Sequence, residues 1–337
     1  MDSPRVTIHD VAKAAGVAVS SVSRVLSNHP SASPDMKSRV EAAVKQLGYQ
    51  PDLVAQSLRT GNTRTIGLLM KDLSNPFYGE MLTFLANSMM SAGYNLLMMT
   101  SSGDAEGDSK IIEMLNQRRM DGFFLATATD QSPLLRKTIS SCRNPVVLLD
   151  RDFTKLDVAR VFADHATGVN SATKDLIALG HKNIALIDGS TQIRPARERC
   201  NGFNKAINEA KIKNGVGSAI NEILSPSSAR AKTRELMNLP KSKRPTAMIT
   251  GSTYVTIGVL EALSDLGLSP GNDLSLVACD DLPWLRVLRP RISTVSRDYQ
   301  NFGTTAADLM LSLLGGEKPK TITLPTRYEA RDTSQPV

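Results

Sequence analysis

Residues 6–26, VTIHDVAKAAGVAVSSVSRVL, decide how this chain is read. Thr7 and Asp10 form a Thr-x-x-Asp pair in which Thr7 caps a helix and Asp10 lies near its positive end. That helix runs through Val11, Ala12, Ala14 and Ala15, with Val11 and Ala15 four apart on one face. Gly16 permits a tight turn and Val17 plugs into the core. A second short helix over 19–26 turns Val22, Val25 and Leu26 inward and presents Ser20, Ser21, Ser23 and Arg24, all small or polar donors. Helix, glycine-centred turn and short polar-faced helix make the pattern of a helix-turn-helix. A third helix follows, with Ser33 as cap, Pro34 at its first position, Gly48 at its end and an apolar stripe of Val40, Ala43, Val44 and Leu47.

Outward from this module the periodicity changes. Residues 51–64 are a short polar segment, and from Thr65 strand-like apolar runs alternate with amphipathic stretches, the pattern of a parallel α/β architecture. Strands are expected at 65–70, 95–100, 122–126, 146–149, 160–163, 184–188, 247–250, 274–278, 292–295 and 321–324. Helices are expected at 78–91, 168–179, 197–210, 253–266 and 302–314, and Gly93, Gly180 and Gly267 follow three of these helices where a C-terminus favours positive φ. So many strands suggest two similar sheets with a cleft between them. The expected organisation is a helix-turn-helix domain at 1–50, a hinge and linker at 51–64, and an α/β core at 65–337.

The chain has 337 residues, 41% of them hydrophobic and 22% charged, which suits a soluble protein of two or three domains. Its net charge of +7 is compatible with nucleic acid but is weak evidence by itself. Cys142, Cys200 and Cys279 are too scattered for a disulfide framework or a zinc knuckle and read as small core residues. The longest apolar runs are too short to span a bilayer, and the first residues lack a secretory pattern, so a cytoplasmic location without membrane contact is expected. No metal or cofactor motif is present.

The stretch quoted above, together with residues 31–70, SASPDMKSRVEAAVKQLGYQPDLVAQSLRTGNTRTIGLLM, resembles the Lac repressor/Gal repressor family of regulators. The resemblance continues through SNPFY at 74–78, LDR at 149–151, ALGHKNIALI at 178–187, RERCNGF at 197–203 and LVACDDLPW at 276–284. It implies a DNA-binding repressor that acts as a homodimer, or a dimer of dimers, on a pseudo-palindromic operator. The second helix then lies in the major groove, with Val19, Ser20 and Arg24 at base edges. Arg24 can give two hydrogen bonds to a guanine or contact phosphate, Ser20 can donate or accept, and Val19 offers only apolar contact. Thr7, Ser21, Ser23 and Asn28 are placed for phosphates, with Lys37 as a distal contact. The family commonly has Ser or Thr before the second helix, where this chain has Ala18.

Residues after Pro51 resemble the family's hinge helix, with Asp52 as cap and Val54, Ala55 and Leu58 on one face. So short a helix is unstable alone and would form only paired with its twin in the minor groove. By resemblance Leu58 is the wedge that kinks DNA; from spacing alone it could equally be buried within the chain.

The core resembles periplasmic sugar-binding proteins, with two subdomains joined by three crossovers, the first at about 65–162 and 293–324, the second at about 163–292 and 325–337. Ligands of such folds sit at the carboxyl ends of strands. Asn75, Phe77 and Tyr78 follow the first strand, Asp150 and Arg151 the fourth, and Ser252 and Asp280 the strands at 247–250 and 274–278. Arg199 matches the arginine of an Arg-x-x-Gly-Phe motif and can donate to ligand oxygens. Trp284 either covers the cleft or packs away from it, Phe77 and Tyr78 stack on a sugar or belong to the core, and Asp150–Arg151 is a ligand pair or a structural one. Many relatives have Asn-Asp where this chain has Ser252-Thr253, and Asp-Asn where it has Asp164-His165, so a standard hexose site is not expected. Arg194, Arg197 and Arg199 would suit an anionic effector such as a sugar acid, unless Arg194 and Arg197 are solvated helix-start residues.

Other classes lack support. There is no Gly-x-x-x-x-Gly-Lys-Ser/Thr loop, no His-Glu-x-x-His helix and no Gly-x-Ser-x-Gly elbow, and Gly215-Val216-Gly217 lacks a third glycine, so an enzyme is not expected. A secreted binding protein would not need residues 1–60, and a DNA-bending protein would not need the large core.

Overall fold

The computed structural model, which describes residues 6–26, 31–50, 61–71, 76–212, 219–220 and 225–337, shows Thr7 and Asp10 closed into a capping box. The Thr7 hydroxyl and backbone N–H both donate to Asp10 Oδ2, at 2.7 and 2.9 Å. Helix α1 (Ile8–Ala15) ends at Gly16, whose φ of 63° is the left-handed turn expected there. Helix α2 (Val19–Leu26) starts without the usual side-chain cap: the Ala18 carbonyl accepts the N–H groups of Ser21 and Val22 at 2.9 and 3.2 Å. Ser33 caps helix α3 (Pro34–Leu47) by accepting from the Met36 N–H. Val11, Val22 and Val40, one from each helix, are fully buried at the centre.

These helices lie in a first unit, Met1–Thr63; the second is Arg64–Val337. The expected hinge helix, with Ala55 and Leu58, falls in 51–60, outside the described residues, as do Asn28 and Asn75.

The second unit contains two parallel sheets. In the first, β1 (Thr65–Met70), β2 (Asn95–Thr100), β3 (Gly122–Ala126), β4 (Val146–Leu149), β5 (Ala159–Ala163) and β11 (Thr321–Leu324) are ordered β11-β5-β4-β3-β1-β2. In the second, β6 (Ile184–Ile187), β7 (Ala219–Ile220), β8 (Ala247–Thr250), β9 (Ser275–Cys279), β10 (Ser293–Arg297) and β12 (Thr326–Glu329) are ordered β12-β10-β9-β8-β6-β7, with only β12 antiparallel to its neighbour.

Both faces of each sheet are covered, so the strands read as apolar runs. On the first sheet, Ile66 and Leu68 face α4 (Pro76–Ser91) and α12 (Tyr299–Leu314), while Phe123 and Leu148 face α5 (Ala105–Gln117) and α6 (Pro133–Ser140). On the second, Ile184 and Ile249 face α7 (His165–Ala178) and α8 (Arg194–Glu209). Ile187 and Met248 face α9 (Pro226–Met237) and α10 (Thr253–Asp265).

The chain passes between the sheets after β5, after β10 and between β11 and β12. This corrects the expected subdomain boundary at 293. Strand β10 pairs with β9 and β12 and so belongs to the second sheet, and the crossing comes after Arg297. The strand extends to Arg297, beyond the apolar run ending at Val295, because its pairing with β12 supplies backbone partners to polar residues that periodicity could not assign. Strands β7 and β12 were not anticipated: one has two residues and the other has no apolar run.

The glycine of the RERCNGF stretch has a packing reason. A Cβ on Gly202 in α8 would run into the Ala166 carbonyl of α7, and the Gly202 carbonyl accepts from Asn170 Nδ2 at 3.0 Å. Gly202→Ala is therefore expected to cost about 1–3 kcal/mol, measured as a lower denaturation midpoint at unchanged m value. An equally stable variant would show that the two helices can part without penalty.

Candidate functional site

In the first unit, helix α2 presents Ser20 and Arg24 as exposed and Ser21 as half-buried. Val19 is half-buried against the helical core, so its side chain is divided between core and surface. Ser23, expected on the polar face, is instead buried. It lies about 100° around the helix from Val22, and packing against two other helices covers that shoulder of the apolar stripe. Thr7 is exposed, but its hydroxyl is engaged in the cap. Lys37 is exposed, 4.0 Å from Glu41 one turn on.

In the second unit the carboxyl ends of both sheets line a cleft of about 180 Å³. Tyr78, Asp150, Arg199, Ser252 and Asp280, all named from the sequence, line it together. Two aspartates end strands in mirrored fashion: Asp150 follows β4 with φ 50°, and Asp280 follows β9 with φ 76°. Aspartate tolerates the left-handed region better than most residues, and the turn directs each carboxylate across its sheet edge.

Asp150 Oδ1 accepts the Ala163 N–H at 2.9 Å, and Oδ2 lies 3.2 Å from His165 Nε2 and 3.0 Å from Arg297 Nη1. The same guanidinium donates from Nε and Nη2 to Asp280 Oδ1, at 3.0 and 2.7 Å. Arg297, at the end of β10, thus joins the last residue of a strand turn in one sheet to its counterpart in the other. Burial alone would raise the Asp150 pKa, but His165, Arg297 and the Ala163 N–H outweigh it and hold the carboxyl well below its usual range. Burial pushes His165 down, assisted by the charges of Arg297 and Arg199 against the opposing pull of Asp150, so the imidazole is neutral at pH 7.

Arg199 grips Asp188 with both arms of its fork, Nε to Oδ2 at 2.7 Å and Nη2 to Oδ1 at 2.9 Å. Asp188 is completely buried and also accepts the Gly189 N–H at 2.7 Å. Burial works against the Arg199 charge, and Asp188 more than restores it. Arg199 therefore lines the cleft with its guanidinium already oriented. Cys279, beside Asp280, has its thiol pushed up to about 12 by burial, which fits the small core residue read from the sequence.

Three expectations change. Trp284 does not line the cleft; it packs on the second sheet's core, because the short helix α11 (Pro283–Val287) turns it toward that core. Arg194 stacks on Phe162 at 4.0 Å and donates to the Ala163 carbonyl. Arg197 lies 2.7 Å from Asp130 and donates to the Thr191 carbonyl. Arg194 Nη1 also lies 3.7 Å from Asp150 Oδ1, so both arginines are taken by packing and ion pairs and neither lines the cleft itself. Phe77 is the second residue of α4, with its side chain outside the described residues.

Sequence reasoning missed Lys71, Asp188, Tyr254 and Arg297 as lining residues. Lys71, Asp188 and Arg297 were accessible to the rule that strand ends face the cleft. Asp188 was counted inside its strand, and Arg297 was lost with the last two residues of β10.

Residues 7–52 match the family described as bacterial regulatory proteins, lacI family, and residues 63–332 match periplasmic binding proteins and sugar binding domain of LacI family. The ribose operon repressor of Escherichia coli strain K12 is 29% identical over 331 residues, covering 98% of this chain and 97% of that protein. The HTH-type transcriptional repressor PurR of Proteus mirabilis is 31% identical over 307 residues, covering 90% and 89%. A crystal structure of the Lac repressor dimer bound to operator and the anti-inducer ONPF has a TM-score of 0.87 at 26% identity, covering 98% of this chain and 99% of that one. Among the described residues no helix is long and apolar enough to cross a membrane.

Two outcomes follow from the buried charges. Asp188→Ala strands a buried guanidinium and is expected to cost about 3–5 kcal/mol, whereas Asp188→Leu combined with Arg199→Met costs much less; equal losses in urea melts would refute the pairing. The second concerns pH. Above about 6.5, folded and unfolded states both hold neutral His165, whose folded pKa is depressed. Below it the unfolded chain takes up a proton that the folded state refuses, so stability is lost as pH falls toward the folded pKa. His181, also pushed down by burial, contributes in the same direction. Tm should drop from pH 7 to pH 5.5, and His165→Gln should flatten part of that slope; an unchanged slope would contradict the assignment.

Proposed function

The chain belongs to the LacI family of bacterial regulatory proteins, and on that basis we propose that it is a transcriptional repressor. In this reading it binds a pseudo-palindromic operator as a homodimer, and a small molecule of the sugar or sugar-acid class, held in the cleft, alters its affinity for that operator. The observation that carries the reading is the presence in one chain of an exposed Ser20/Arg24 face on a helix-turn-helix and a cleft whose polar floor is shared by two sheets. A two-fold protein reading two half-sites requires a two-fold operator. The names of the relatives, repressors of a ribose operon and PurR among them, support the class of activity.

Arg24 is the residue assigned to base reading, with Ser20 and the exposed part of Val19 beside it. Thr7, Ser21, Asn28 and Lys37 are assigned to phosphates and set register rather than sequence. Asn28 is outside the described residues, and buried Ser23 is better suited to supporting the helix than to touching DNA. Ala55 and Leu58, also outside them, are assigned to the minor groove on the resemblance alone, with Leu58 as the wedge. In the cleft, Tyr78, Asp150, Arg199, Ser252 and Asp280 are assigned to the effector; Asn75 and the Phe77 side chain, outside the described residues, are assigned to it from the sequence alone. A cytoplasmic location and the absence of catalysis complete the proposal.

For the effector to act, it must prefer one of two conformations of the protein, and DNA must prefer one as well. Arg297 stands where such a preference can arise, because it holds Asp150 of one subdomain and Asp280 of the other.

The reading is tested by titrating full-length protein onto duplexes from the region upstream of its own gene, with bend angle measured alongside. Arg24→Ala should lose about 1–3 kcal/mol of discrimination at one base position per half-site. Leu58→Ala should bind more weakly and bend the operator less. A uniform loss on all sequences for Arg24→Ala would remove its base-reading role, and an unchanged bend for Leu58→Ala would remove the wedge.

A further inference from the structure

The charges lining the cleft do not cancel. Asp188 is matched by the fork of Arg199, while Asp150 and Asp280 share the single charge of Arg297 and Asp150 has Arg194 Nη1 3.7 Å from its Oδ1 as well. What remains is cationic. Arg151, in the cleft wall, is only 2% exposed. Among the described residues its hydrogen bonds go only to backbone carbonyls, from Nε to Thr127 and from Nη1 to Asp150, and no carboxylate forms an ion pair with it. Lys71, immediately after β1, lines the same cleft and has no ion pair among the described residues.

A buried guanidinium without a counter-charge is costly, and an anion brought into hydrogen-bond reach relieves that cost. One further polar atom has capacity to spare. Asp280 accepts from Arg297 only through Oδ1, so Oδ2 accepts no hydrogen bond among the described residues, and a carboxylate oxygen there is suited to a hydroxyl donor. Both oxygens of Asp150, by contrast, are occupied. The volume of about 180 Å³ is below the range of roughly 300–1,000 Å³ of drug-sized pockets and has room for about one sugar unit.

We propose that the ligand of this cleft is a polyhydroxylated monosaccharide-sized anion, its carboxylate or phosphate held by Arg151 with Lys71 beside it, and one of its hydroxyls donating to Asp280 Oδ2. This rests on the reading of the cleft as an effector site, and it narrows that reading from sugars and sugar acids together to anions alone. The cations concerned are Arg151 and Lys71, not the Arg194 and Arg197 that first suggested a sugar acid.

The test uses the full chain, with thermal shift and calorimetric titration against matched probes: glucose, glucuronate, gluconate and glucose 6-phosphate, then ribose, ribonate and ribose 5-phosphate. At least one anion should bind and its neutral parent should not at the same concentration; the carboxylate and phosphate arms tell the two anion types apart. Binding should weaken with added salt. Arg151→Gln should weaken it on the order of 10- to 100-fold, the loss of one charged hydrogen-bonding partner. Lys71→Ala, less buried and safer for folding, should weaken it by a smaller factor. A neutral sugar binding as tightly as its own acid, failure of every anion to bind, or unchanged affinity in both folded variants overturns the proposal. Operator affinity measured on the same samples separates the two levels. An anion that binds without altering operator affinity overturns the regulator reading and leaves the charge assignment standing; a neutral sugar that alters operator affinity does the reverse.

Discussion

The cleft depends on Arg297. Two open parallel sheets present their strand ends to one another, and each ends a strand in an aspartate turned through a left-handed backbone, Asp150 from the first sheet and Asp280 from the second. Without a cation between them these two buried carboxylates would repel each other across a medium that screens poorly. Arg297 reaches both, with Nη1 on Asp150 and with Nε and Nη2 on Asp280. It can do so because β10 lies beside β9 in the second sheet, immediately before the chain crosses to the first. The topology places the guanidinium at the crossover, and the crossover makes it a joint.

How much of this was legible in the sequence depended on the range of the interaction that fixed each feature. The helix-turn-helix was legible almost to the residue because its determinants are local: the Thr7–Asp10 box, the left-handed Gly16, the Ser33 cap and Gly48 all act within one turn of chain. Apolar strands buried on both faces were equally plain. Strand β12 was not, because Thr326–Glu329 alternates half-buried and exposed positions and is defined only by its antiparallel pairing with β10. Missing that partner cut β10 short, shifted the subdomain boundary and hid Arg297.

The cleft residues divide in the same way. Asp150, Arg199, Ser252 and Asp280 were found because strand ends and a family-like motif point to them. Trp284 and Arg194 were misjudged because nothing local tells a side chain which of two available faces it will meet: Trp284 met the second core and Arg194 met Phe162. Ser23 shows the limit of helical periodicity itself. A residue on the shoulder of an apolar stripe is exposed on a helix packed against one neighbour and buried on a helix packed against two.

The choice of an ion-paired joint over an apolar one has consequences for regulation. An apolar contact between subdomains would gain energy in proportion to area and tolerate small changes of angle. A guanidinium shared by two carboxylates gains little net energy over its desolvation, but it demands one geometry. Such a joint can be disfavoured by a modest competing interaction, since a ligand needs only to offer Asp280 or Arg297 a better partner in one arrangement of the subdomains than in the other. That is the size of effect, a few kcal/mol, with which binding at one site changes affinity at another. A second buried pair, Arg199–Asp188, lies wholly within the second subdomain and joins no crossover. It can hold the wall of the cleft rigid while the shared Arg297 contact changes, and this division of labour lets ligand recognition stay fixed as the joint is remade.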